Sequence, residues 1–327
     1  MISVIIPTRN RSNLLAQALQ SIVYQRLESS LFEVLVVDNG SSDSTPDVIE
    51  FYKGKMPNLI GIYAPEPGLH NGRHAGMQRA KGEILVFADD DIEALPTWLE
   101  SISEAFQDSG VAMVGGNNYP YFLEEPPRWL RRLWERSNCQ GYYSIPSLSV
   151  IEFVSAPTEI SPHLVWGCNF SIRKEILLEA GGFHPDGMPQ ELIRFRGDGE
   201  TYVSSFVENS KMKCVFHPGA SVYHKVTPER MTIRYFYQRG FNQGVSDSFT
   251  RLRESQLGAS TISHKVGFFL RAFNFVIHKK NEFLGGRELN CVLAEFKKGY
   301  KAGFDYHQNL YRDDPEVRDW VHRFTYY

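Results

Sequence analysis

The sequence predicts an α/β protein with a mostly parallel, doubly wound (Rossmann-like) sheet and a C-terminal helical extension. Short apolar runs alternate with helical patterns through the first hundred residues, as in parallel strands joined by crossover helices. The central run, residues 82–88, is followed at once by Asp89, Asp90 and Asp91. After Pro228 strand-like runs cease and helical patterns take over. We therefore predict an α/β domain over residues 1–228 and a helical region over 229–327.

The elements of the first half follow from periodicity and from turn residues. Apolar, β-branched runs predict strands at residues 2–6, 33–37, 59–63, 84–88 and 111–115. Apolar residues at helical spacing, or helix-boundary residues, predict helices at about 12–23, 44–51, 71–80 and 96–106. Three loops leave the carboxyl ends of these strands, so they should bring Thr8 and Arg9, Asp38, and the acids 89–91 to one crevice.

The pattern lapses between residues 117 and 165, where prolines and aromatic residues show no clear period. Long irregular stretches of this kind are often lids or binding loops. Trp129, Trp134, Tyr142 and Tyr143 either pack onto the core, which we favour, or stack on a sugar. Further strands are predicted near 165–172, 215–216 and 220–224, and helices near 174–180, 201–209, 230–254, 262–282, 287–309 and 314–323.

Charge and composition exclude several classes of protein. The formal net charge of −3 argues against a general nucleic-acid binder, so no nucleic-acid partner is expected. The four cysteines lie far apart, without the paired spacing of a zinc site. No uninterrupted apolar stretch is long enough to span a bilayer, and we expect a cytoplasmic protein. The apolar segment 266–277, flanked by lysines, can lie peripherally at a membrane surface, although such helices more often pack onto their own domain.

Three adjacent carboxylates repel one another unless something neutralises them. A hard divalent cation, which prefers oxygen ligands, would neutralise them and could also bind the phosphates of a ligand. The alternative is a solvated acidic turn or a helix N-cap at Asp91. The run alone leaves both interpretations open.

Several motifs, in order, resemble those of the family-2 glycosyltransferases, which are inverting enzymes of the GT-A fold that use a nucleotide sugar and a divalent metal. Residues 4–11 resemble the first strand and nucleotide loop of that family, and residues 36–43 resemble the second. Residues 68–83 are similar to its glycine-bounded helix, and residues 89–91 match its DxD motif. The resemblance covers the first 228 residues and is weak beyond them.

The resemblance implies roles for individual residues. Those implied in nucleotide-sugar binding are Pro7, Thr8, Arg9, Asp38, Gly68, Arg73, Asp89, Asp90 and Asn169, and those implied in binding Mn²⁺ or Mg²⁺ are Asp91 and His224. A carboxylate such as Asp38 can accept the ring N–H of uracil, which favours a UDP-sugar. Imidazole suits Mn²⁺ better than Mg²⁺.

Two acids are candidates for the catalytic base. The family commonly carries Glu-Asp ahead of a helix, whereas here a glycine separates Asp198 from Glu200. We rank Asp198 first, because a glycine-flanked loop can approach the sugar closely, and Glu200 second. Either acid can instead cap the next helix.

The resulting expectation is a metal-dependent inverting glycosyltransferase. It would transfer a sugar from a nucleotide sugar to a sugar or glycolipid acceptor during polysaccharide, glycolipid or other glycoconjugate biosynthesis. One alternative is a sugar nucleotidyltransferase, although residues 7–11 lack a glycine-rich phosphate loop. Another is an inactive carbohydrate-binding or scaffold protein of the same fold, and a nicotinamide dehydrogenase is weaker because the first βα turn lacks closely spaced glycines.

Overall fold

Two sheets form the body of the protein, which the computed structural model describes over residues 1–138, 141–256 and 286–327. The strands of the larger sheet are β1 (Ile2–Thr8), β2 (Phe32–Asp38), β3 (Leu59–Tyr63), β4 (Ile84–Ala88), β6 (Val111–Gly115), β10 (Asn169–Arg173) and β11 (Lys213–Phe216). Those of the smaller sheet are β5 (Ile92–Ala94), β7 (Asn118–Phe122), β8 (Tyr142–Ile145), β9 (Val150–Phe153) and β12 (Val222–Val226).

Helices cover the larger sheet and continue to the C-terminus. They are α1 (Ser12–Val23), α2 (Thr45–Lys53), α3 (Leu69–Arg79), α4 (Trp98–Ala105), α5 (Arg128–Arg136), α6 (Lys174–Glu179), α7 (Glu200–Asn209), α8 (Ile233–Gln256), α9 (Gly286–Asp313) and α10 (Pro315–Val321). This α/β architecture with a C-terminal helical region confirms the predicted fold class. The domain boundary at residue 228 stays a prediction.

Some predictions fall on residues that the structure does not describe. The helix expected at 262–282, with its apolar segment 266–277, lies outside the described residues, so the membrane-surface contact stays a prediction. Within the described ranges, no helix combines the length and the apolarity needed to cross a membrane.

The larger sheet explains why its first strands are mostly apolar. Its order is β11-β6-β10-β4-β1-β2-β3, and all its strands run parallel except β10. Val4 and Ile6 of β1 face one hydrophobic cluster, whereas Ile5 faces the other. Because helices cover both faces, every β1 side chain is buried.

The smaller sheet corrects the prediction of an irregular segment over residues 117–165. Three of its strands, β7, β8 and β9, come from that segment, and each has only four or five residues. Strands this short show too few alternations for a period to be recognised. Trp129 and Tyr142 are buried, as the core interpretation expected, and Trp134 stacks on Tyr143.

Strand β5 brings two distant parts of the chain together. It begins directly after Asp91 and pairs antiparallel with β12, so that Ile92 lies opposite His224. The backbone of Lys225 also donates to the Asp91 carbonyl at 2.9 Å. This pairing places His224 beside the run of acids.

Helices α8 and α9 pack at very short range through facing glycines. A Cβ added to Gly240 or Gly244 would overlap backbone atoms of α9, and one added to Gly299 or Gly303 would overlap backbone atoms of α8. Small residues allow helix backbones to approach in this way, and here they hold α8 in position as one wall of a cavity.

We expect Gly303→Ala to lower the free energy of unfolding by about 1–3 kcal/mol, because the new methyl group would overlap the Phe241 carbonyl. Chemical denaturation would measure the change. Gly54→Ala is the matched control, since Gly54 has helical φ and its added methyl would meet only the Phe51 carbonyl, at 3.3 Å. A Gly303→Ala protein as stable as the wild type would contradict the close crossing.

Candidate active site

The carboxyl ends of β4, β1 and β2 lie side by side and gather the predicted nucleotide-binding residues. Thr8 lies opposite Asp38 in the parallel register. The Thr8 hydroxyl donates to Asp90 Oδ2 at 2.7 Å, and the Asn39 N–H donates to the Thr8 carbonyl at 2.9 Å. The structure therefore brings Thr8, Asp38 and Asp90 to one edge of the sheet, as the sequence predicted.

Asp38 is held in place with one carboxylate oxygen available. Its Oδ1 accepts the Ser41 N–H at 2.8 Å, whereas Oδ2 has no hydrogen bond to any described residue. The Asn39 side chain donates to the carbonyls of Ala64 and Glu66, which fixes the loops after β2 and β3 to each other. A nearly buried carboxylate with a free oxygen can accept an N–H from a ligand.

The other residues predicted for the nucleotide loops take different positions. Pro7 is buried within β1, and a Cβ on Gly72 of α3 would lie 2.9 Å from it, so α3 packs closely onto this strand. Gly68 precedes α3 with φ of +118°. Arg9 is exposed and makes no hydrogen bond or ion pair within the described part of the chain.

Two of the three adjacent acids, Asp90 and Asp91, share Arg11 as a partner. Asp90 contacts Thr8 and pairs with Arg11 at 2.5 Å, while Asp91 pairs with a second nitrogen of Arg11 at 2.8 Å. Burial raises the pKa of Asp90 to about 7 against the opposing charge of Arg11. Burial would also raise the pKa of Asp91, but the neighbouring His224 and Arg11 outweigh it and lower that pKa below its usual value.

Arg230 is a site residue that the sequence analysis missed. Its Nη1 lies 3.4 Å from Asp91 Oδ2, and Arg230 also donates to the Leu148 carbonyl and to the Tyr235 hydroxyl. The only signal in the sequence is a basic residue shortly after His224. Arg11 belongs to the first loop, but the family resemblance implies no role for it.

Asp89, Asp91 and His224 form a possible metal-binding group. One ligand atom of each lies within 4.8 Å of the others. Asp91 Oδ1 is buried, and although it lies 3.1 Å from His224 Nε2 it lacks the alignment of a hydrogen bond. Two ligands of one octahedral ion lie about 3 Å apart, so this buried oxygen and nitrogen fit a shared cation. The donor set of two carboxylates and an imidazole suits Mn²⁺.

Arg73 links the acid run to Glu200. The side chain is almost fully buried, and its guanidinium lies 3.7 Å from Asp89 and 3.4 Å from Glu200. A Cβ on Gly167 would overlap this guanidinium, so a larger residue there would displace Arg73 from its present position. The Gly167 N–H donates to Glu200 Oε1 at 3.2 Å, which leaves Glu200 oriented while about a quarter of its side chain stays exposed.

Asp198, by contrast, makes short hydrogen bonds to other side chains of the protein. Its Oδ1 lies 2.6 Å from His184 Nδ1, and its Oδ2 accepts the Thr250 hydroxyl at 2.6 Å. Tyr202 stacks on the imidazole of His184 at 3.9 Å between ring centroids. Both carboxylates line the cavity and have partners on both oxygens, but 7% of the Asp198 side chain is exposed against 24% for Glu200. Asp198 is therefore less available to a ligand than Glu200.

Asn169 is also occupied by the protein itself. Its Oδ1 accepts the Trp98 indole N–H at 2.9 Å, and its Nδ2 donates to Asn118 and to the Ala220 carbonyl. Only 3% of the residue is exposed. These contacts favour a structural role, and the sugar contact implied for Asn169 stays a prediction.

A cavity of about 600 Å³ joins these groups to the C-terminal helices. Arg73, Asp89 and Glu200 line it on the side of the sheet. Its other wall is α8, whose contributing residues are Arg239, Asn242, Gln243, Ser246, Asp247, Thr250 and Glu254. This volume lies in the range of about 300–1,000 Å³ typical of pockets that enclose small ligands.

This chain is similar to known proteins in sequence and in fold. The sequence model of glycosyl transferase family 2 matches residues 3–179. Glycosyltransferase AglE of Haloferax volcanii is 36% identical over 117 residues, covering 36% of this chain and 38% of that protein. Validoxylamine A glucosyltransferase of Streptomyces hygroscopicus is 27% identical over 202 residues, covering 57% of this chain and 47% of that protein.

A solved structure has a similar fold over nearly the whole chain. It is the mannosyltransferase PcManGT of Pyrobaculum calidifontis, in complex with GDP-Man and Mn²⁺. The TM-score is 0.54 at 17% sequence identity, with 98% of this chain and 82% of that chain covered. The likeness supports a shared GT-A fold. The sequence matches, however, span less than half of the length of the two curated relatives.

Proposed function

Because this chain belongs to glycosyl transferase family 2, we propose that it is a metal-dependent enzyme that transfers a sugar from a nucleotide sugar to an acceptor hydroxyl with inversion at the anomeric carbon. The observation that carries the proposal is the cavity itself. Asp89 of the metal-binding group and Glu200, an oriented and partly exposed carboxylate, line the same space. A leaving group and an acceptor can therefore meet there.

The donor would bind along the ends of β1, β2 and β4. Asp38 Oδ2 is free to accept a ring N–H of the base, which suits uracil. Guanine also carries such an N–H, and the mannosyltransferase of similar fold holds GDP-Man, so GDP is the alternative. The ribose would lie by Asp89 and Asp90, in keeping with the roles that the resemblance implies.

The diphosphate would lie beside Asp91 and His224, which we propose hold Mn²⁺ or Mg²⁺ with Asp89. When bound, the ion supplies a Lewis acid that stabilises negative charge on the departing nucleoside diphosphate. Arg11 and Arg230 pair with Asp91 from two sides, so they keep the carboxylate ionised and oriented. Arg230 also lines the cavity, where its charge favours the diphosphate.

We propose Glu200 as the base, in preference to Asp198. The acceptor oxygen forms a bond to the anomeric carbon as the bond from that carbon to the phosphate oxygen breaks, and the hydroxyl proton passes to Glu200. Attack opposite the leaving group inverts the configuration. The Gly167 N–H and Arg73 hold the carboxylate in place for this step.

Calorimetric titration with UDP, GDP, dTDP and CDP tests the proposal, each with Mn²⁺ and after metal removal by EDTA. We expect one nucleotide to bind tightly only with the metal, because an ion held by Asp89, Asp91 and His224 would offset the negative charge of the diphosphate. The corresponding nucleoside monophosphate is the matched control, since it lacks the second phosphate. Failure of all four nucleotides to bind with Mn²⁺ or Mg²⁺ would contradict the proposal.

A further inference from the structure

Arg239 is a cavity-lining guanidinium without a partner. It lies on α8 and is only partly exposed, and its Nε is buried without a hydrogen bond. Within residues 1–138, 141–256 and 286–327 it makes no hydrogen bond or ion pair. The other cavity arginines each pair with a carboxylate: Arg73 with Glu200 at 3.4 Å, Arg196 with Asp186 at 2.5 Å, and Arg230 with Asp91 at 3.4 Å. A buried polar group without a hydrogen bond is costly, so this Nε calls for an acceptor from a ligand.

Asp186 is a carboxylate on which the charge of Arg239 acts, and it already has other partners. Asp186 Oδ1 pairs with Arg196 and accepts the Gly187 N–H at 2.7 Å. Burial would raise the pKa of Asp186, but Arg196, Arg73 and Arg239 together hold that pKa below its ordinary value. Of these three guanidinium groups, Arg73 and Arg196 form ion pairs, and Arg239 forms none with a described residue.

A second donor lies one helical turn away. Asn242 follows Arg239 at the i+3 position of α8, so the two side chains share a face, and both line the cavity. Asn242 Oδ1 accepts the Gln238 amide at 3.0 Å, whereas its Nδ2 has no hydrogen bond to a described residue. A guanidinium fork and an amide N–H together match the oxygens of a carboxylate or phosphate.

We propose that Arg239, assisted by Asn242, binds an anionic group, a carboxylate or a phosphate ester, on the acceptor sugar, and thereby selects acidic acceptors. This inference rests on the proposed glycosyl transfer. The donor diphosphate has its own partners at the metal-binding group, on the strand ends. Arg239 instead projects from α8, the wall that faces those strand ends across the cavity.

Two carboxylates on the same wall, Asp247 and Glu254, form no ion pair with Arg239. Asp247 lies about 12 Å farther along α8 and Glu254 about 22 Å, at 1.5 Å per residue. Asp247 also accepts hydrogen bonds from Gln243 and Tyr300, and burial raises its pKa to about 6, which reduces its charge near that pH.

Calorimetry with glucose 1-phosphate, glucuronate and glucose tests the inference, with Mn²⁺ and the preferred nucleoside diphosphate saturating to block the donor site. We expect the wild type to bind at least one anionic sugar more tightly than glucose. Arg239→Met should bind that sugar about tenfold or more weakly, as expected for loss of a charged hydrogen bond. Comparison of the phosphate and carboxylate arms identifies the anion.

Arg234→Met is the matched control, because Arg234 is exposed on the same helix and should leave the affinity unchanged. Arg239→Lys keeps the charge and should retain part of the preference, and it serves as the second variant if Arg239→Met does not fold. Equal binding of the anionic sugar by the wild type and Arg239→Met would overturn the inference, as would no preference over glucose in the wild type.

The inference and the proposed function fail in different ways. If Arg239→Met loses nucleotide binding, Arg239 serves the donor and the inference is overturned while the enzyme assignment stands. If the wild type binds no nucleotide, the proposed function fails. The sugar titrations, repeated without nucleotide, then still show whether Arg239 binds the anion.

Discussion

Replacing Glu200 by Gln is expected to lower kcat by about 10²–10⁴-fold while leaving nucleoside diphosphate affinity unchanged. The amide keeps the shape of the side chain and its contacts near Arg73 and the Gly167 N–H, but it cannot accept the acceptor proton. Release of nucleoside diphosphate from the donor measures turnover, with water as the acceptor if no sugar acceptor is known. Calorimetry measures the binding step separately.

Asp198→Asn is the matched control for this prediction, because it makes the same chemical change two positions away. We expect it to lower stability by about 1–3 kcal/mol, since Asp198 bonds His184 and Thr250, and to retain most turnover per folded molecule. If Asp198→Asn instead abolishes turnover with unchanged melting temperature while Glu200→Gln remains active, Asp198 is the base, as the sequence analysis ranked it.

Asp91→Ala is expected to weaken Mn²⁺-dependent nucleotide binding by more than about 100-fold. Changes to residues that merely support metal ligands cost about 10–100-fold, and loss of a ligand should cost more. The variant also removes the counter-charge of Arg11 and Arg230. Calorimetric titration with Mn²⁺ after EDTA treatment gives the ion affinity, and circular dichroism confirms that the fold is intact.

Glu93→Gln provides the comparison for Asp91→Ala, because Glu93 is an exposed acid on the adjoining strand β5 and does not belong to the metal-binding group. Its affinity for Mn²⁺ should match that of the wild type. His224→Ala, like Asp91→Ala, should lower the affinity of the protein for Mn²⁺. Wild-type Mn²⁺ affinity in both Asp91→Ala and His224→Ala would rule out the proposed ligands.

The strand ends show which features of the structure can be predicted from local sequence patterns. Residues 2–8 and 84–88 are mostly apolar because helices cover both faces of their sheet, and such runs can be recognised without a structure. The polar residues that follow them must then meet at one edge, and Thr8, Asp38 and Asp90 do. The smaller sheet escaped recognition because its four- and five-residue strands give almost no period.

Arg230 and Asn169 show what local patterns do not reveal. Nothing around Arg230 in the sequence indicates that it lies 3.4 Å from Asp91. Asn169 has the residue type of a sugar ligand, yet Trp98, Asn118 and Ala220 occupy its hydrogen-bonding groups. Both facts depend on contacts between segments that are remote along the chain.

By itself, then, the sequence determined the parallel α/β core and the placement of Asp38 and the acids 89–91 at its edge, because hydrophobic period and strand direction are local properties. Only the tertiary structure shows how the surroundings of Asp198 and Glu200 differ. His184 and Thr250 come from separate segments to occupy Asp198, whereas Arg73 and Gly167 orient Glu200 toward the cavity. The greater exposure of Glu200 depends on this long-range packing, and no spacing within residues 196–201 encodes it.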